Sequence, residues 1–205
     1  MFYDTLTSLP NAVLFLDRLQ QSLAHASRRQ QRVGVIYLDI DGFMQIVNFF
    51  GCAEGNALVK EIADRLQSCI QRNEDTLARL GGDQFAIILG DIDGLKGIQQ
   101  IQAKIAQAMS RYFWIGGRGV TVTLSSAASL FPQDGKEWSS LLRAASMAMH
   151  LVKERGGDNH LCYGEPMPSH LGEINPIDLQ TPSTASGKFF KQEASMSYRA
   201  ISANL

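Results

Sequence analysis

Two apolar segments flank a pair of glycines near the middle of the chain, in the stretch Arg-Leu-Gly-Gly-Asp-Gln-Phe of residues 79–85. A tight turn between two strands needs positive φ angles, which glycine adopts without steric cost. The pattern therefore predicts a β-hairpin with Gly81 and Gly82 at its turn. Asp83 then lies at or just past the turn, where a carboxylate can hold a cation or approach a phosphate. Turn composition alone also explains the stretch, so this feature does not decide the function.

Composition and cysteine spacing limit the classes of protein to which the chain can belong. The 205 residues are 45% hydrophobic and carry a formal net charge of −1, so nothing in the overall charge attracts nucleic acid or an anionic membrane. Cys52, Cys69 and Cys162 show neither metal-ligand spacing nor a disulfide framework. The sequence also has no signal-peptide pattern and no apolar run long enough to span a bilayer. We therefore expect a cytoplasmic protein without a membrane segment.

Hydrophobic periodicity predicts a mixed α+β domain. A helix is expected after Pro10, and the continuous apolar run of residues 33–38 predicts a central strand that is buried on both faces and ends at Asp39. Further helices are predicted around residues 58–70, 98–109 and 138–149, and further strands over residues 120–124 and 160–163. This order of elements fits a central, antiparallel-rich sheet with helices packed on its faces.

The character of the sequence changes after Tyr163. Residues 164–205 contain four prolines and a stretch rich in serine and threonine. Such a composition is typical of a linker or a disordered tail, because it offers little apolar surface to bury. We therefore expect one folded domain over residues 1–163, followed by this segment.

Three further motifs accompany the predicted hairpin. Residues 4–11 read Asp-Thr-Leu-Thr-Ser-Leu-Pro-Asn, residues 39–43 read Asp-Ile-Asp-Gly-Phe, and residues 148–153 read Ala-Met-His-Leu-Val-Lys. In this order and at these distances, over residues 4–163, the motifs resemble the GGDEF family, the diguanylate cyclase domains of bacterial cyclic-di-GMP signalling. The resemblance implies a ferredoxin-like fold related to nucleotidyl cyclases and polymerase palms, which agrees with the predicted order of elements.

The resemblance also implies a metal site and a catalytic site at the hairpin. In active members two domains face each other, each with one GTP, and Mg²⁺ or Mn²⁺ neutralises the phosphates. Asp39 and Asp83 match the metal-ligand positions, with the Ile40 carbonyl as a third ligand, and Asp83 and Gln84 match the catalytic positions. The family has glutamate where Gln84 stands, and a neutral amide cannot act as a general base. The alternative is that the two aspartates are solvated turn carboxylates.

Several nucleotide-binding positions depart from the family pattern. Met44 replaces a phosphate-contacting lysine, Val47 replaces an asparagine that reads guanine, and Asn56 replaces an aspartate that does the same. A site without polar partners for the base should lose most of its selectivity. Asn48 could replace Val47 only if the helix backbone shifted, since neighbouring residues face different directions. Gly157 stands where a second basic residue is common. The nucleotide-binding residues that the resemblance implies are Phe43, Val47, Asn48, Asn56, Gly81, Gly82 and Lys153.

Arg72 and Asp75 form an Arg-x-x-Asp pattern upstream of the hairpin. Their distance from Gly81 is the one at which the family places an inhibitory site for its product. There, arginine binds the O6 and N7 edge of guanine, and aspartate accepts from N1 and N2. The alternative is an exposed ion pair at a helix end, which contributes little to stability.

These departures favour a degenerate family member with Gly-Gly-Asp-Gln-Phe as its signature. We expect it to bind cyclic-di-GMP at Arg72 and Asp75 and to act as a receptor or regulatory module. One alternative is an active diguanylate cyclase that condenses two GTP molecules with Mg²⁺. Another is a GTP-binding allosteric module for a partner EAL phosphodiesterase domain. A homodimer and a sensory or EAL domain in a longer protein are further expected partners.

Overall fold

The computed structural model describes residues 2–70 and 72–164. The helices in these ranges are α1 (Ala12–Arg29), α2 (Phe43–Phe50), α3 (Cys52–Cys69), α4 (Gly94–Met109) and α5 (Trp138–Glu154). The strands are β1 (Val33–Ile40), β2 (Thr76–Gly81), β3 (Gln84–Leu89), β4 (Phe113–Ile115), β5 (Arg118–Val120), β6 (Leu124–Phe131) and β7 (His160–Cys162).

Five of these strands form one sheet in the order β2-β3-β1-β6-β7. The central strand β1 runs antiparallel to both β3 and β6, and β7 pairs parallel with β6. Strands β4 and β5 form a separate two-stranded hairpin. The predicted α+β fold with an antiparallel-rich sheet and flanking helices is confirmed.

The two faces of the sheet are covered by different helices. On one face Ile36 and Leu38 of β1 pack with the apolar sides of α3 and α4. On the other face Val33 and Val35 pack with α1, including Phe15, and with α5. Successive side chains of a strand point to opposite faces, so a strand buried on both sides must be apolar throughout. The uninterrupted apolar run of the sequence therefore identified the centre of the sheet correctly.

The first helix begins where the sequence predicts it. The Asn11 side chain accepts hydrogen bonds from the backbone N–H groups of Val13 and Leu14, which satisfies two donors that no helical carbonyl can reach. Residues 43–69 form two helices rather than the single helix expected around residues 58–70. Gly51 separates them with a backbone φ angle of 94°, a value that residues other than glycine rarely adopt.

The strand predicted over residues 120–124 is wrong in its bounds. Val120 ends β5 and Leu124 begins β6, so the residues between them belong to neither strand. The Thr123 carbonyl accepts a hydrogen bond from the Asp41 N–H at 3.0 Å, and the Thr123 hydroxyl donates to the Asp41 carboxylate at 2.8 Å. Thr123 therefore bonds to Asp41 and not to a neighbouring strand, although the β-branched residues 120–123 predicted strand pairing there.

The outer strands of the sheet are β2 and β7. Part of the free edge of β2 is covered, because the Arg79 N–H donates to the Pro10 carbonyl at 2.9 Å. The β7 edge is three residues long. Among the described residues, no helix has both the length and the hydropathy that crossing a membrane requires. The segment from residue 165 onward lies outside the described ranges, so the predicted boundary at residue 163 and the tail stay predictions.

Candidate functional site

The end of β1 and the turn of the β2–β3 hairpin lie side by side. Asp39 pairs in register with Gln84, and the Ile40 N–H donates to the Asp83 carbonyl at 3.2 Å. The turn itself comprises Gly82 and Asp83, since the ladder of the hairpin closes with Gly81 opposite Gln84. The structure therefore brings together the four residues at which the sequence predicts metal binding and catalysis.

Asp83 experiences the negative charge of Asp39. Burial raises the pKa of the Asp83 carboxyl, and the nearby Asp39 carboxylate raises it further. Both effects disfavour the ionised form, the first by removing water and the second by like-charge repulsion. A cation between the two aspartates would reverse the second effect. Gln84 adds an amide to this group and no charge.

Lys153, on the last turn of α5, supplies a positive charge to the same place. Its Nζ lies 2.5 Å from Asp39 Oδ1 and 2.6 Å from Asp41 Oδ1. Burial by itself lowers the pKa of Lys153, but the hydrogen bonds to both aspartates outweigh it and raise that pKa. The ammonium group therefore neutralises Asp39 in this structure and would compete with a metal ion for it.

Asp41 is the most extensively bonded residue of the group, and the sequence did not mark it as a site residue. Its carboxylate accepts hydrogen bonds from the Thr123 and Ser125 hydroxyls, from Lys153 Nζ and from the Asp158 N–H, at 2.6–3.0 Å. Burial raises its pKa, but the bonds from Lys153 and the two hydroxyls outweigh burial and lower it. Asp41 therefore holds Lys153 close to the segments that precede β6 and β7, through Thr123 and Asp158. Its position two residues after Asp39, at the end of the same strand, was the available signal.

The departure at Gly157 follows from Asp41. A Cβ atom on Gly157 would lie 2.7 Å from Asp41 Oδ1, and the backbone there has a φ of 75°. A side chain would therefore meet the carboxylate and would also strain the backbone. The basic residue that is common in the family at this position is incompatible with the observed approach of Asp41.

The residues around the turn fit a magnesium ion that also binds phosphates. Asp39 and Asp83 provide hard oxygen ligands, and Mg²⁺ is commonly held by one or two carboxylates together with substrate phosphates. Within the part of the chain that the structure describes, no group of three or more His, Cys, Asp or Glu side chains forms a metal cluster. Asp39 and Asp83 could hold such an ion together with phosphates.

The helix α2 carries three of the seven predicted nucleotide-binding residues, and its exposed positions include the apolar Met44 and Phe49. None of its eight residues, all of them described, is fully buried, and Met44 is 63% exposed. Val47 packs onto α3, where a Cβ atom on Gly55 would lie 2.7 Å from Val47 Cγ2. Asn48 and Asn56 are exposed to solvent. The structure therefore places an aliphatic helix–helix contact at the position expected to read guanine. Phe43 also contacts the Gly55 region.

The glycine turn is open, and a single arginine holds it. A Cβ atom on Gly81 or Gly82 would meet nothing within 4 Å, and both residues have positive φ angles. Arg79 donates to the Gly82 carbonyl from Nε at 3.1 Å and from Nη2 at 2.7 Å. The turn thus leaves space beside Asp83, while Arg79 of β2 holds the turn backbone at the Gly82 carbonyl.

The geometry agrees with comparisons to known proteins. The sequence model for the diguanylate cyclase GGDEF domain matches residues 1–159. The chain belongs to the GGDEF family. Diguanylate cyclase TpbB of Pseudomonas aeruginosa strain UCBPP-PA14 is 32% identical over 181 residues, which is 88% of this chain and 41% of that protein. The bifunctional diguanylate cyclase/cyclic di-GMP phosphodiesterase MucR of P. aeruginosa is 30% identical over 171 residues, or 83% of this chain and 25% of MucR.

The GGDEF domain therefore spans less than half the length of these curated relatives. Among solved structures, the isolated GGDEF domain of TpbB from P. aeruginosa superposes with a TM-score of 0.76 at 30% identity, covering 78% of this chain and 94% of that one. The GGDEF domain of DgcB from Caulobacter crescentus, solved with c-di-GMP, has a TM-score of 0.73 at 21% identity, which shows a shared fold. The predicted family and fold are thus confirmed.

In this GGDEF domain Arg72 and Asp75 both bind the residue that follows β3. Arg72 Nη2 donates to the Gly90 carbonyl at 2.5 Å, to the Asp91 carbonyl at 3.3 Å and to Glu74 Oε2 at 2.9 Å. Asp75 Oδ1 accepts from the Gly90 N–H at 3.1 Å. The two residues of the Arg-x-x-Asp pattern are therefore neighbours, and both bind the backbone of Gly90.

The second carboxylate oxygen of Asp75 is in a different situation. Asp75 Oδ2 is buried and has no hydrogen-bond partner among residues 2–70 and 72–164. Burial raises the pKa of the Asp75 carboxyl, while Arg72 and the Gly90 N–H lower it by less. An ionised oxygen without donors is unfavourable, so donors that reached Oδ2 would stabilise the charged form.

Proposed function

We propose that this GGDEF domain is a degenerate member, silent or very weak as a cyclase, that binds cyclic-di-GMP at Arg72 and Asp75. In this role it serves as a receptor or regulatory module. The observation that carries the proposal is the Arg72–Asp75 pair, in which an arginine and a carboxylate bind the same residue, Gly90, and one carboxylate oxygen has no partner within the described ranges. Guanine offers the complementary groups, with O6 and N7 as acceptors and N1 and N2 as donors.

The exposure of Arg72 supports ligand binding. The Arg72 side chain is 47% exposed, and each of its three hydrogen bonds uses the same nitrogen, Nη2. A guanidinium has five N–H donors in a planar fork, so a guanine edge can be bound without loss of the contact to Gly90. The second oxygen of Asp75 is buried in this structure, so the guanine N1 and N2 donors would reach it only after a local movement that exposes it.

The state of the GTP site supports loss of catalysis. Gln84 cannot remove a proton, and Val47 presents methyl groups where a base reader is expected. Lys153, which would otherwise face phosphate, forms short ion pairs with Asp39 and Asp41. Loss of a general base typically reduces a rate by two to four orders of magnitude, or about 10²–10⁴-fold.

A second candidate is an active diguanylate cyclase. The convergence of Asp39 and Asp83, which raises the pKa of Asp83, favours it. In that case Asp39, Asp83 and the Ile40 carbonyl would hold Mg²⁺ or Mn²⁺, and the ion would neutralise the phosphates of GTP. The same residues support a third candidate, in which bound GTP acts on a partner EAL domain without turnover. A homodimer, such a partner domain and a cytoplasmic location belong to these proposals.

The proposal is tested by calorimetric titration of the full chain with cyclic-di-GMP. We expect saturable binding by the parent protein and loss of binding in R72A and in D75N. The matched control is R143A, which removes an exposed arginine from α5. Binding that persists in both R72A and D75N would contradict the assignment, and so would a parent protein that does not bind.

A product assay separates the candidate functions. The parent protein and D83A are incubated with GTP and Mg²⁺ or Mn²⁺, and cyclic-di-GMP is measured by chromatography. We expect no product from either sample. Product from the parent protein that is absent in D83A would establish the second candidate. GTP binding by the parent without product, lost in D83A, would favour the third.

A further inference from the structure

A pocket of about 280 Å³ lies beside the second half of α4, where it adjoins the Asp41–Lys153 cluster and is not lined by Arg72 or Asp75. One wall is formed by α4, and the others by strands β1 and β6 and by the segments that precede β6 and β7. Its lining includes Leu38, Gln102, Ile105, Met109, Val122 and Ser126. This volume is close to the lower end of the range that small-molecule sites occupy, so a ligand of few atoms would fill it.

Deep in the pocket the polar groups of Gln102 and Ser126 are buried and uncharged, whereas Asp158 and His160 lie exposed at its rim. Gln102 is 3% exposed, and its Nε2 donates to the Ser126 hydroxyl at 3.1 Å. Ser126 is 6% exposed, and the Cys162 thiol lies 3.7 Å from Gln102 Oε1. Around these groups the lining is aliphatic, as at Leu38 and Ile105. An amide and a hydroxyl in apolar surroundings can orient a neutral polar group, whereas an ion would lose its hydration without a counter-charge.

We propose that this pocket binds a small, uncharged molecule that carries an apolar body and one carboxamide or similar hydrogen-bonding edge. The apolar body would lie along the aliphatic wall of α4, and the polar edge would exchange hydrogen bonds with Gln102 and Ser126. Such a combination of an apolar body and few oriented polar groups is typical of small-molecule sites.

The rim of the pocket connects it to the ion pairs of Lys153. Thr123 and Asp158 line the rim, and both donate hydrogen bonds to the Asp41 carboxylate, at 2.8 and 3.0 Å. Asp41 in turn binds Lys153. A bound molecule would therefore contact residues that are one hydrogen bond from the Asp41 carboxylate. The proposal needs neither Arg72 nor Asp75, so it stands or fails independently of the proposed function.

The test is a two-dimensional NMR titration of the isotope-labelled full chain with benzamide, a neutral ring with one carboxamide. We expect saturable shifts at the Gln102 side-chain amide and the Ser126 backbone amide. The A106W variant places a large side chain at the exposed mouth of the pocket and should weaken binding at least about tenfold. The matched control A103W carries the same change at an exposed position of α4 and should bind like the parent.

Benzoate serves as the charged counterpart of benzamide and should bind at least about tenfold more weakly. Absence of saturable shifts with benzamide in the parent protein would overturn the proposal. It would be overturned equally by A106W binding benzamide as tightly as A103W does. Equal binding of benzoate and benzamide would show that the pocket does not select uncharged molecules and would overturn that part.

Discussion

The Asp4 carboxylate accepts two hydrogen bonds from Arg79 Nη1, at 3.0 and 3.1 Å, although the two residues are 75 positions apart in sequence. The same guanidinium donates to the Gly82 carbonyl. One arginine therefore ties the N-terminal segment to the signature turn. The two side chains are only 19% and 11% exposed, respectively, whereas those of the Arg72–Glu74 ion pair are 47% and 64% exposed.

Replacing Asp4 by asparagine should destabilise the domain. D4N keeps the shape of the side chain but leaves the shielded Arg79 guanidinium without its counter-charge, which typically costs about 1.5–3 kcal/mol. Urea unfolding of the parent and the variant measures the difference. The control is E74Q, in the exposed pair, which should change the free energy of unfolding by less than about 1 kcal/mol. Equal effects of D4N and E74Q would contradict this account.

The effect of D4N should also depend on pH. Burial raises the pKa of Asp4, but hydrogen bonds from Thr7 and Arg79 outweigh it, so the pKa is lowered overall. A carboxyl with a lowered pKa in the folded state adds stability above its unfolded pKa of about 3.9 and loses it as pH falls through the folded value. The difference between parent and D4N should therefore shrink in acid. A difference that grows below about pH 4 would be inconsistent with this sign.

Asp75 should show the opposite pH dependence. Its folded pKa is raised, chiefly by burial, so the folded state retains its proton more readily than the unfolded state. The parent protein then loses stability as pH rises from the unfolded pKa of about 3.9 through the folded value, and D75N lacks this loss. Urea unfolding of both proteins over a pH series should show that the free energy of unfolding of D75N rises relative to that of the parent as pH increases. A constant difference would mean that the Asp75 pKa is unchanged by folding.

Adding a methyl group at Gly157 should disturb the bonds to Asp41. Both G157A and its neighbour control G156A place alanine at a positive φ, which costs about 1–3 kcal/mol. Only G157A also brings Cβ to 2.7 Å from Asp41 Oδ1, whereas nothing lies within 4 Å of a Cβ on Gly156. We expect G157A to be less stable than G156A by at least about 1 kcal/mol in urea unfolding. Equal stability would show that the carboxylate moves aside freely.

Removing the charge of Lys153 should strengthen magnesium binding. The ammonium neutralises Asp39 and competes with a cation, so K153M leaves the carboxylate free for Mg²⁺. Adding Mg²⁺ should therefore raise the melting temperature of K153M by about 2–4 °C more than that of the parent, or about 1 kcal/mol for a domain of this size. The double variant D39N/K153M should lose this gain. A gain that survives in the double variant would place the ion elsewhere.

The parts of the fold that local patterns encode were predictable from the sequence. The apolar run that ends at Asp39 identified the central strand, because only a strand buried on both faces needs such a run. The pair Gly81-Gly82 identified the hairpin, because Gly82 adopts a φ of 52° in its turn. The turn is shifted by one residue from the predicted one, since it comprises Gly82 and Asp83 and Gly81 ends β2. Both features depend on residues that are close together in the chain.

Contacts between distant segments could not be predicted in the same way. Asp41 draws its donors from Thr123, Lys153 and Asp158, which lie 82 to 117 positions further along the chain. Thr123 bonds to Asp41 and lies outside β5 and β6, although its β-branched neighbours predicted a strand there. The burial of Gln102 could likewise not be predicted from its sequence neighbours, because its hydrogen-bond partner Ser126 belongs to another element.

The outer edges of the sheet bear on how the domain behaves when it is concentrated. An exposed strand edge offers unpaired N–H and C=O groups, and a second chain can add to it as a further strand. At the β2 edge the Arg79 N–H donates a hydrogen bond to the Pro10 carbonyl. The opposite edge, β7, is only three residues long. Within the described ranges, the β2 edge is therefore interrupted at Arg79 and the β7 edge is short, and both features work against strand addition. On the β2 side this effect depends on the N-terminal segment as well as on the sheet itself.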